Sequence, residues 1–443
     1  MVKEVLKKVK EDNVKYVCLQ FTDVTGAVKS VDIPASRVEK ALKEGVWFDG
    51  SSVHGFARIQ ESDMRLVPDA DTYAVLPWSQ PERRRARLFC DIYQPDGTLF
   101  PGDPRGVLKG VLQRIEDRGW KANMGPEPEF FLLRRNGQES IHPVPHDVGG
   151  YFDFSASDEA QRVRTELMLG LSSMGLEVEM GHHEVALGQH EIDFRFADAL
   201  HAADNVVTLK YTIRALAAKY GLIATFMPKP IFGINGSGMH THQSIFSTKG
   251  ENLFFDENDE YMLSPIAYGY IAGQIKHARA LAGIVAPTVN SYKRIVPGYE
   301  APVYVCWAQI NRSAMIRIPK YSGQAASIRA ELRFPDPTCN PYLAFACMLA
   351  AGLDGIERNL ECPEPVNNVN IYEMSPEELA ARNVGQLPGS LGEALDELDK
   401  DEVLKNALGE EAYEAFVRAK RAEWDEFRIK VMDWEVEYYL ETA

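Results

Sequence analysis

The chain has 443 residues, 45% hydrophobic and 10% aromatic, enough for a large buried core divided over two or three domains of roughly 100 to 200 residues. A net charge of −16 argues against the basic stripe that nucleic acids and anionic membranes require, which leaves small molecules as the expected partners. Six scattered cysteines (Cys18, Cys90, Cys306, Cys339, Cys347, Cys362) form no C-x-x-C pair, and neither a signal-peptide core nor an apolar run of about 18 residues is present, so a cytoplasmic protein is expected.

The charged, amphipathic opening predicts a first helix. Val14 to Phe21 and Ala27 to Ile33 then read as strands joined by Thr22-Asp23-Val24-Thr25-Gly26, a loop with hairpin chemistry. Ala35 to Glu44 reads as a helix, and short strands follow to about Tyr93. Gln94-Pro95-Asp96-Gly97 and Phe100-Pro101-Gly102-Asp103-Pro104 are the strongest punctuation in the first quarter, so the domain boundary is placed between residues 102 and 103. Beyond it, helices over Arg105 to Arg118, Ala156 to Met174 and Ala199 to Tyr220 alternate with strand-like segments, the pattern of an α+β domain. Asn340-Pro341 opens an alanine-rich helix with an N-cap asparagine and a proline at the first helical position, and the remaining residues are mostly helical and acidic.

Five glutamates and a histidine are the main chemical signal: Glu127, Glu129, Glu184, Glu191, His240 and Glu331. In Gly125-Pro126-Glu127-Pro128-Glu129-Phe130-Phe131 the period of two puts both carboxylates on one strand face. Pro128 favours an edge strand, whereas the apolar run after it argues for entry into the core. Two converging carboxylates about 4 Å apart repel by roughly 4 kcal/mol at an effective dielectric near 20, so convergence demands cations. Oxygen ligands with one imidazole and no thiolate suit magnesium or manganese; the zinc signature H-E-x-x-H is not matched around Glu184.

Glu184 and Glu191, seven residues apart, would face opposite ways on a straight strand, so a loop near Gly188 must bring them together. In Gly233 to Ser244 three glycines precede a strand rather than a helix, which excludes the P-loop and dinucleotide patterns; His240, His242 and Ser244 share one face of that strand. Between Asn290 and Phe334 seven cations (Lys293, Arg294, Arg312, Arg317, Lys320, Arg329, Arg333) meet only Glu300 and Glu331, a balance of +5 that calls for an anionic ligand. The alternation of Arg329, Glu331 and Arg333 predicts two guanidinium groups flanking one carboxylate. The Pro297-Gly298-Tyr299-Glu300 turn reads equally as a mobile lid or a static turn.

The segments E-P-E-F-F, H-H-E-V-A-x-G-Q-H-E-I, K-P-x-F-G-x-N-G-S-G-M-H, V-N-S-Y-K-R-x-V-P-G-Y-E-A-P and R-x-E-x-R-F-P-D-P-x-x-N-P-Y occur in this order, with Phe48-Asp49-Gly50-Ser51-Ser52 near the start. With them the chain resembles type I glutamine synthetase over essentially its whole length, in a short alpha-type form without the adenylylation insertion. The resemblance implies a β-grasp domain over residues 1–102 and a catalytic α/β domain of the glutamine synthetase/guanido kinase type over 103–443, assembled as a homododecamer of two stacked six-membered rings. It implies ATP-dependent ligation of ammonia to glutamate through a γ-glutamyl phosphate, with two or three Mg²⁺ (or Mn²⁺) ions per site. A ligase for larger amines and a non-catalytic ring are the alternatives.

By the same resemblance Glu129, Glu184 and Glu191 hold one ion, and Glu127, His240 and Glu331 the other. Asn235, Gly236, Arg294 and Arg333 match glutamate-binding positions, and Glu179, Phe196, His242, Ser244, Arg317 and Arg329 match those around ATP. Arg312 matches a residue that stabilises the transferring phosphoryl group. Asp49, donated by a neighbouring subunit, takes the ammonium proton in a pocket with Tyr151 and Glu184, closed by the Glu300 flap. Arg58 matches an arginine of glutamine feedback, and nitrogen-regulatory proteins are implied as candidate partners. The chain departs from the pattern at Leu187, where proline is common, and over Lys320 to Ser327.

Overall fold

A computed structural model describes residues 2–51, 53, 63–134, 143–154, 159–311, 313–320, 322–367, 369 and 371–442. Arg58 and Arg312 lie outside the described residues, as does Ser52.

The first unit starts with helix α1 (Val2–Glu11) and a hairpin, β1 (Tyr16–Thr22) and β2 (Val28–Pro34), paired antiparallel in full register. The hairpin turns where expected: Asp23 Oδ1 accepts from the backbone N–H of Thr25 and Ala27, and Gly26 takes the left-handed φ of 85°. Helix α2 (Val38–Glu44) leads to β3 (Val46–Asp49), β4 (Asp63–Pro68), β5 (Ala74–Val75) and β6 (Arg85–Tyr93). The sheet runs β2-β1-β6-β4-β3, with β1 and β6 parallel and α1 and α2 covering its apolar face. Asp49 ends β3 at the sheet edge.

The second unit carries β7 (Trp120–Arg134), β8 (Val144–Pro145), β9 (Val178–His183), β10 (Gln189–Phe194), β11 (Ala197–Asp198), β12 (Leu222–Thr225), β13 (Met239–Ser247), β14 (Tyr304–Ala308), β15 (Ala314–Arg317), β16 (Ala330–Leu332) and β17 (Gly385–Gln386). Their order is β17-β14-β15-β16-β13-β7-β10-β9, with β8, β11 and β12 also on β7. Behind the sheet pack α3 (Pro104–Glu116), α4 (Glu159–Ser173), α5 (Ala199–Lys219), α6 (Pro265–Val285) and, after the short α7 (Ser291–Arg294), α8 (Pro341–Glu357). Asn340 caps α8 by accepting from Tyr342 N–H, and its amide donates to Asp23 O at 3.1 Å, tying the first hairpin to the second unit. Helices α9 (Pro376–Ala381), α10 (Leu391–Leu398), α11 (Glu402–Leu408), α12 (Glu410–Arg428) and α13 (Asp433–Tyr439) complete the chain.

Strand β7 is interior, not an edge. Its residues 120–128 pair with β13, whereas 129–131 pair with β10. The two prolines sit at this change of partner, where a missing N–H costs the ladder least. No helix among the described residues is long and apolar enough to cross a membrane.

Candidate active site

Strand register builds the site. Glu331 on β16 lies opposite His242 on β13, His240 opposite Glu127 on β7, Glu129 opposite Glu191 on β10, and Glu191 opposite His182 on β9. Five consecutive strands thus carry one row of acids and imidazoles. Two groups within it have ligand atoms mutually within 4.8 Å: Glu127, His240 and Glu331, and His182, Glu184 and Glu191.

The loop between Glu184 and Glu191 is a tight reversal of the β9–β10 hairpin. Glu184 N–H donates to Gln189 O at 2.8 Å, Gln189 N–H donates to Ala186 O at 3.0 Å, and Gly188 has φ 70°. A Cβ on Gly188 would stand 2.9 Å from Leu132 O, so glycine is required there by both space and conformation. His182 bridges the two acids, with Nδ1 3.5 Å from Glu184 and Nε2 3.4 Å from Glu191. Glu129 faces the same cluster, but its Oε2 accepts from Gln189 Nε2 at 2.8 Å and from Gly238 N–H at 3.0 Å.

Bound cations would relieve the crowding of these acids. Burial, then the carboxylates of Glu129, Asp193, Glu127 and Glu184, push the Glu191 carboxyl up to about 12. Burial and Glu184 push Glu129 to about 8, and burial and Glu127 push Asp193 to about 7. Asp193 Oδ1 is buried without a hydrogen-bond donor among the described residues. Burial works against ionising Glu127 too, yet His242, Arg329 and Arg317 hold its carboxyl below the usual range. His240 is driven well below its ordinary value by burial and by Arg333 and Arg294, which leaves a neutral imidazole able to ligate. Carboxylate oxygens with neutral imidazole fit a hard divalent cation.

Two cavities flank the row. One, of about 520 Å³, is lined by Glu179, Phe196, His242, Ser244, Arg329 and the turn of Gln324, Ala326 and Ser327. The other, of about 260 Å³, is lined by the acids together with Tyr151, Asn235, Gly236, Arg294, Glu300 and Arg333. Arg294 is buried, and its guanidinium donates to Phe334 O at 2.9 Å and to Arg333 O at 3.2 Å. The Glu300 turn spans this second cavity: Asn235 Nδ2 donates to Glu300 Oε2 at 3.1 Å, and Glu300 holds φ 58°.

Two placements differ from expectation. Arg317 lines the smaller, acidic cavity rather than the larger one, because antiparallel pairing of β15 with β16 sets it opposite Glu331, with which it forms a close ion pair. The pair flanking Glu331 is therefore Arg317 and Arg333, whose Nε lies 3.6 Å away, while Arg329 Nε donates to His242 Nδ1 at 3.0 Å. Asp49 lines neither cavity of its own chain; its carboxylate accepts from Ser51 N–H at 2.9 Å. His182 and Asp193 join the cluster without belonging to the six motif residues, and a period of two from Glu184 and from Glu191 marks both in the sequence.

The profile of the glutamine synthetase β-grasp domain matches residues 13–95, and that of the glutamine synthetase catalytic domain matches residues 101–439. The chain belongs to the glutamine synthetase family. Glutamine synthetase of Thermus thermophilus is 52% identical over 443 residues, covering 99% of this chain and 98% of that protein. The enzyme of Methanocaldococcus jannaschii is 51% identical over 448 residues, with the same two coverages. Among solved structures, the chain named "GmaS/ADP complex-Conformation 1" superposes with a TM-score of 0.87 at 33% identity, covering 98% of this chain and 99% of that one. As a glutamine synthetase, the protein is an ATP-dependent glutamate–ammonia ligase whose substrates are glutamate, ammonia and ATP, and the family works with divalent metal.

Proposed function

We propose that the two cavities divide the reaction, ATP seated in the larger and glutamate in the smaller, with phosphoryl transfer across the row of acids between them. One observation carries the reading: a row of acids and imidazoles on five adjacent strands lies between a cavity walled by Phe196, His242, Ser244 and Arg329 and one where Arg294 and Arg333 face carboxylates. A carboxylate is a poor electrophile, so its γ-oxygen first attacks the terminal phosphorus of ATP and ADP leaves; ammonia then attacks the acyl carbon and phosphate leaves.

Glu129, Glu184 and Glu191 would hold one divalent cation, oriented by His182, and Glu127, His240 and Glu331 another. Two or three Mg²⁺ or Mn²⁺ ions would supply charge neutralisation for the phosphates and the carboxylate. Asn235, Gly236, Arg294 and Arg333 bind glutamate. Glu179, Phe196, His242, Ser244, Arg317 and Arg329 surround ATP, with Arg317 reaching it from the acidic side. Arg312 stabilises the transferring phosphoryl group. Glu300 and its turn shut out water that would hydrolyse the acyl phosphate.

Ammonium enters beside Tyr151, Glu184 and Glu300 and gives its proton to Asp49 of a neighbouring subunit. The position of Asp49 at a sheet edge, away from its own cavities, supports that sharing and the double-ring homododecamer. Arg58 would serve glutamine feedback. The proposed domain boundary falls at residues 102/103, where Asp103 caps α3, and six free thiols support a cytoplasmic location.

Steady-state turnover with glutamate, ATP and Mg²⁺, comparing ammonium with ethylamine and polyamines, tests the reading. Ammonium should be strongly preferred, and preference for a polyamine would overturn it. Millimolar glutamine in the same assay should inhibit; insensitivity would leave Arg58 without a feedback role.

A further inference from the structure

Behind the acidic row lies a second polar cluster, formed by His146, Asp147, His183, His190 and Arg164. Asp147 is its hub. Oδ1 accepts from Gly188 N–H at 2.8 Å, from His183 Nε2 at 3.0 Å and, more loosely, from Gly149 N–H at 3.4 Å, while Oδ2 lies 3.0 Å from His146 Nε2 and 3.8 Å from His190 Nε2. The imidazoles of His146, His183 and His190 are buried.

Ligand atoms of His146, Asp147 and His190 lie within 4.8 Å of one another, which suits a metal by distance alone. The tautomer argues otherwise. Arg164 can only donate, and its Nη1 lies 3.0 Å from His190 Nδ1, so that nitrogen accepts and Nε2 carries the ring proton. A protonated Nε2 has no lone pair for a cation.

What the hub does reach is the hairpin of the acids. His183 Nδ1 donates to the backbone carbonyl of Glu184 at 2.6 Å, while its Nε2 donates to Asp147. One carboxylate thereby grips the turn at two points, Gly188 N–H directly and Glu184 O through an imidazole. It does so from the segment that also carries Tyr151, whose ring lies edge-on to His182 at 5.8 Å. Leu187, which leaves its own backbone freer than proline would, sits between these two grips. Gly149 packs so closely that an added Cβ would stand 2.8 Å from His183 Nε2.

We propose that Asp147, acting through His183 and Gly188, is a positioning residue that fixes Glu184 and Glu191 at the spacing one divalent cation needs. It rests on the reading of those two glutamates as ligands. Outer partners of metal ligands typically govern affinity by about 10–100-fold. Titration of the metal-free protein with Mn²⁺, followed by electron paramagnetic resonance, should resolve two classes of site. Asp147→Ala should weaken one class by about 10–100-fold and leave the other, together with the KM for ATP at saturating metal, within about twofold.

His183→Phe removes only the bridge to the Glu184 carbonyl, spares the Gly188 bond, and should weaken the same class by a smaller factor. Both classes intact in either folded variant would overturn the proposal, as would equal weakening of both. Glu184→Gln separates the two readings. If it also leaves both classes intact, the ligand assignment is what fails; if it removes one class while Asp147→Ala and His183→Phe do not, Asp147 has no positioning role.

Discussion

Arg105, on α3, and Asp204, on α5, form a two-pronged ion pair, Nε to Oδ1 at 3.1 Å and Nη2 to Oδ2 at 3.0 Å. The same guanidinium reaches Asp91 on β6 and Asp69 just beyond β4, both at 2.7 Å, so one buried cation joins the β-grasp sheet to the catalytic helices. Tyr342 O–H donates to Asp204 at 2.6 Å and completes the latch. Removing one partner of a buried pair leaves the others uncompensated. Arg105→Ala should therefore destabilise the chain by about 3–5 kcal/mol, read as a lower midpoint of urea unfolding. Arg105→Lys keeps the charge but loses the planar fork, and should recover less than half of that loss.

Glu191 tests the metal row from the opposite direction. Without cations its carboxyl is crowded by Glu129, Asp193, Glu127 and Glu184 in a buried setting. Glu191→Gln removes that repulsion and should stabilise the metal-free protein by about 1–3 kcal/mol while lowering turnover at least about 100-fold. Thermal unfolding in EDTA and in Mn²⁺ checks both halves: the variant should melt higher than the parent in EDTA and gain less on adding metal. A lower melting temperature in EDTA would contradict the crowding.

Part of the row was legible in the sequence because a period of two makes face and chemistry read together at Glu127/Glu129 and at His240/His242, whereas Glu184 and Glu191, seven residues apart, needed a loop to meet. What joins the segments is strand register over long sequence separations, which local pattern does not encode. Hence the alternation of Arg329, Glu331 and Arg333 suggested a flanked carboxylate, but not that β15 would bring Arg317 to Glu331 and release Arg329 to His242. Pro128 favoured an edge by local chemistry and the apolar run after it favoured the core; the interior position of β7 follows the run, while its change of partner strand at the prolines is visible only in the assembled sheet. The caps were local and therefore legible, Asn340 being the plainest case.

His277 gives a pH dependence away from the site. Its Nδ1 lies 2.6 Å from Asp401 and its Nε2 3.0 Å from Asp354, so both nitrogens face carboxylates. Burial opposes the charge, but these two acids raise the imidazole above its ordinary value. A raised folded value means that the stabilisation is complete below the unfolded value of about 6.5 and fades as pH climbs through the folded one. His277→Gln should cost most below that unfolded value and progressively less at higher pH, measured as the difference in melting temperature between parent and variant across pH 6 to 9. A difference that stays flat over this range would mean that His277 is held neutral.

Gly236 links packing to substrate. A Cβ there would stand 2.1 Å from the carbonyl oxygen of Pro228 and 3.3 Å from Arg294 Cγ. The carbonyl is fixed, since Ser237 N–H donates to it at 2.8 Å, so the segment at Asn235 and Gly236 must shift rather than Pro228. That shift moves the Gly236 carbonyl, which accepts from Gln189 Nε2 at 3.0 Å, and the Asn235 amide that holds Glu300. Overpacking of this kind costs typically about 1–3 kcal/mol, here directed at the cavity assigned to glutamate. Gly236→Ala should raise the KM for glutamate by about tenfold or more, the equivalent of roughly 1.4 kcal/mol, with the KM for ATP changed by less than about twofold. Equal effects on both substrates would instead mark a general loss of fold and remove Gly236 from the glutamate cavity.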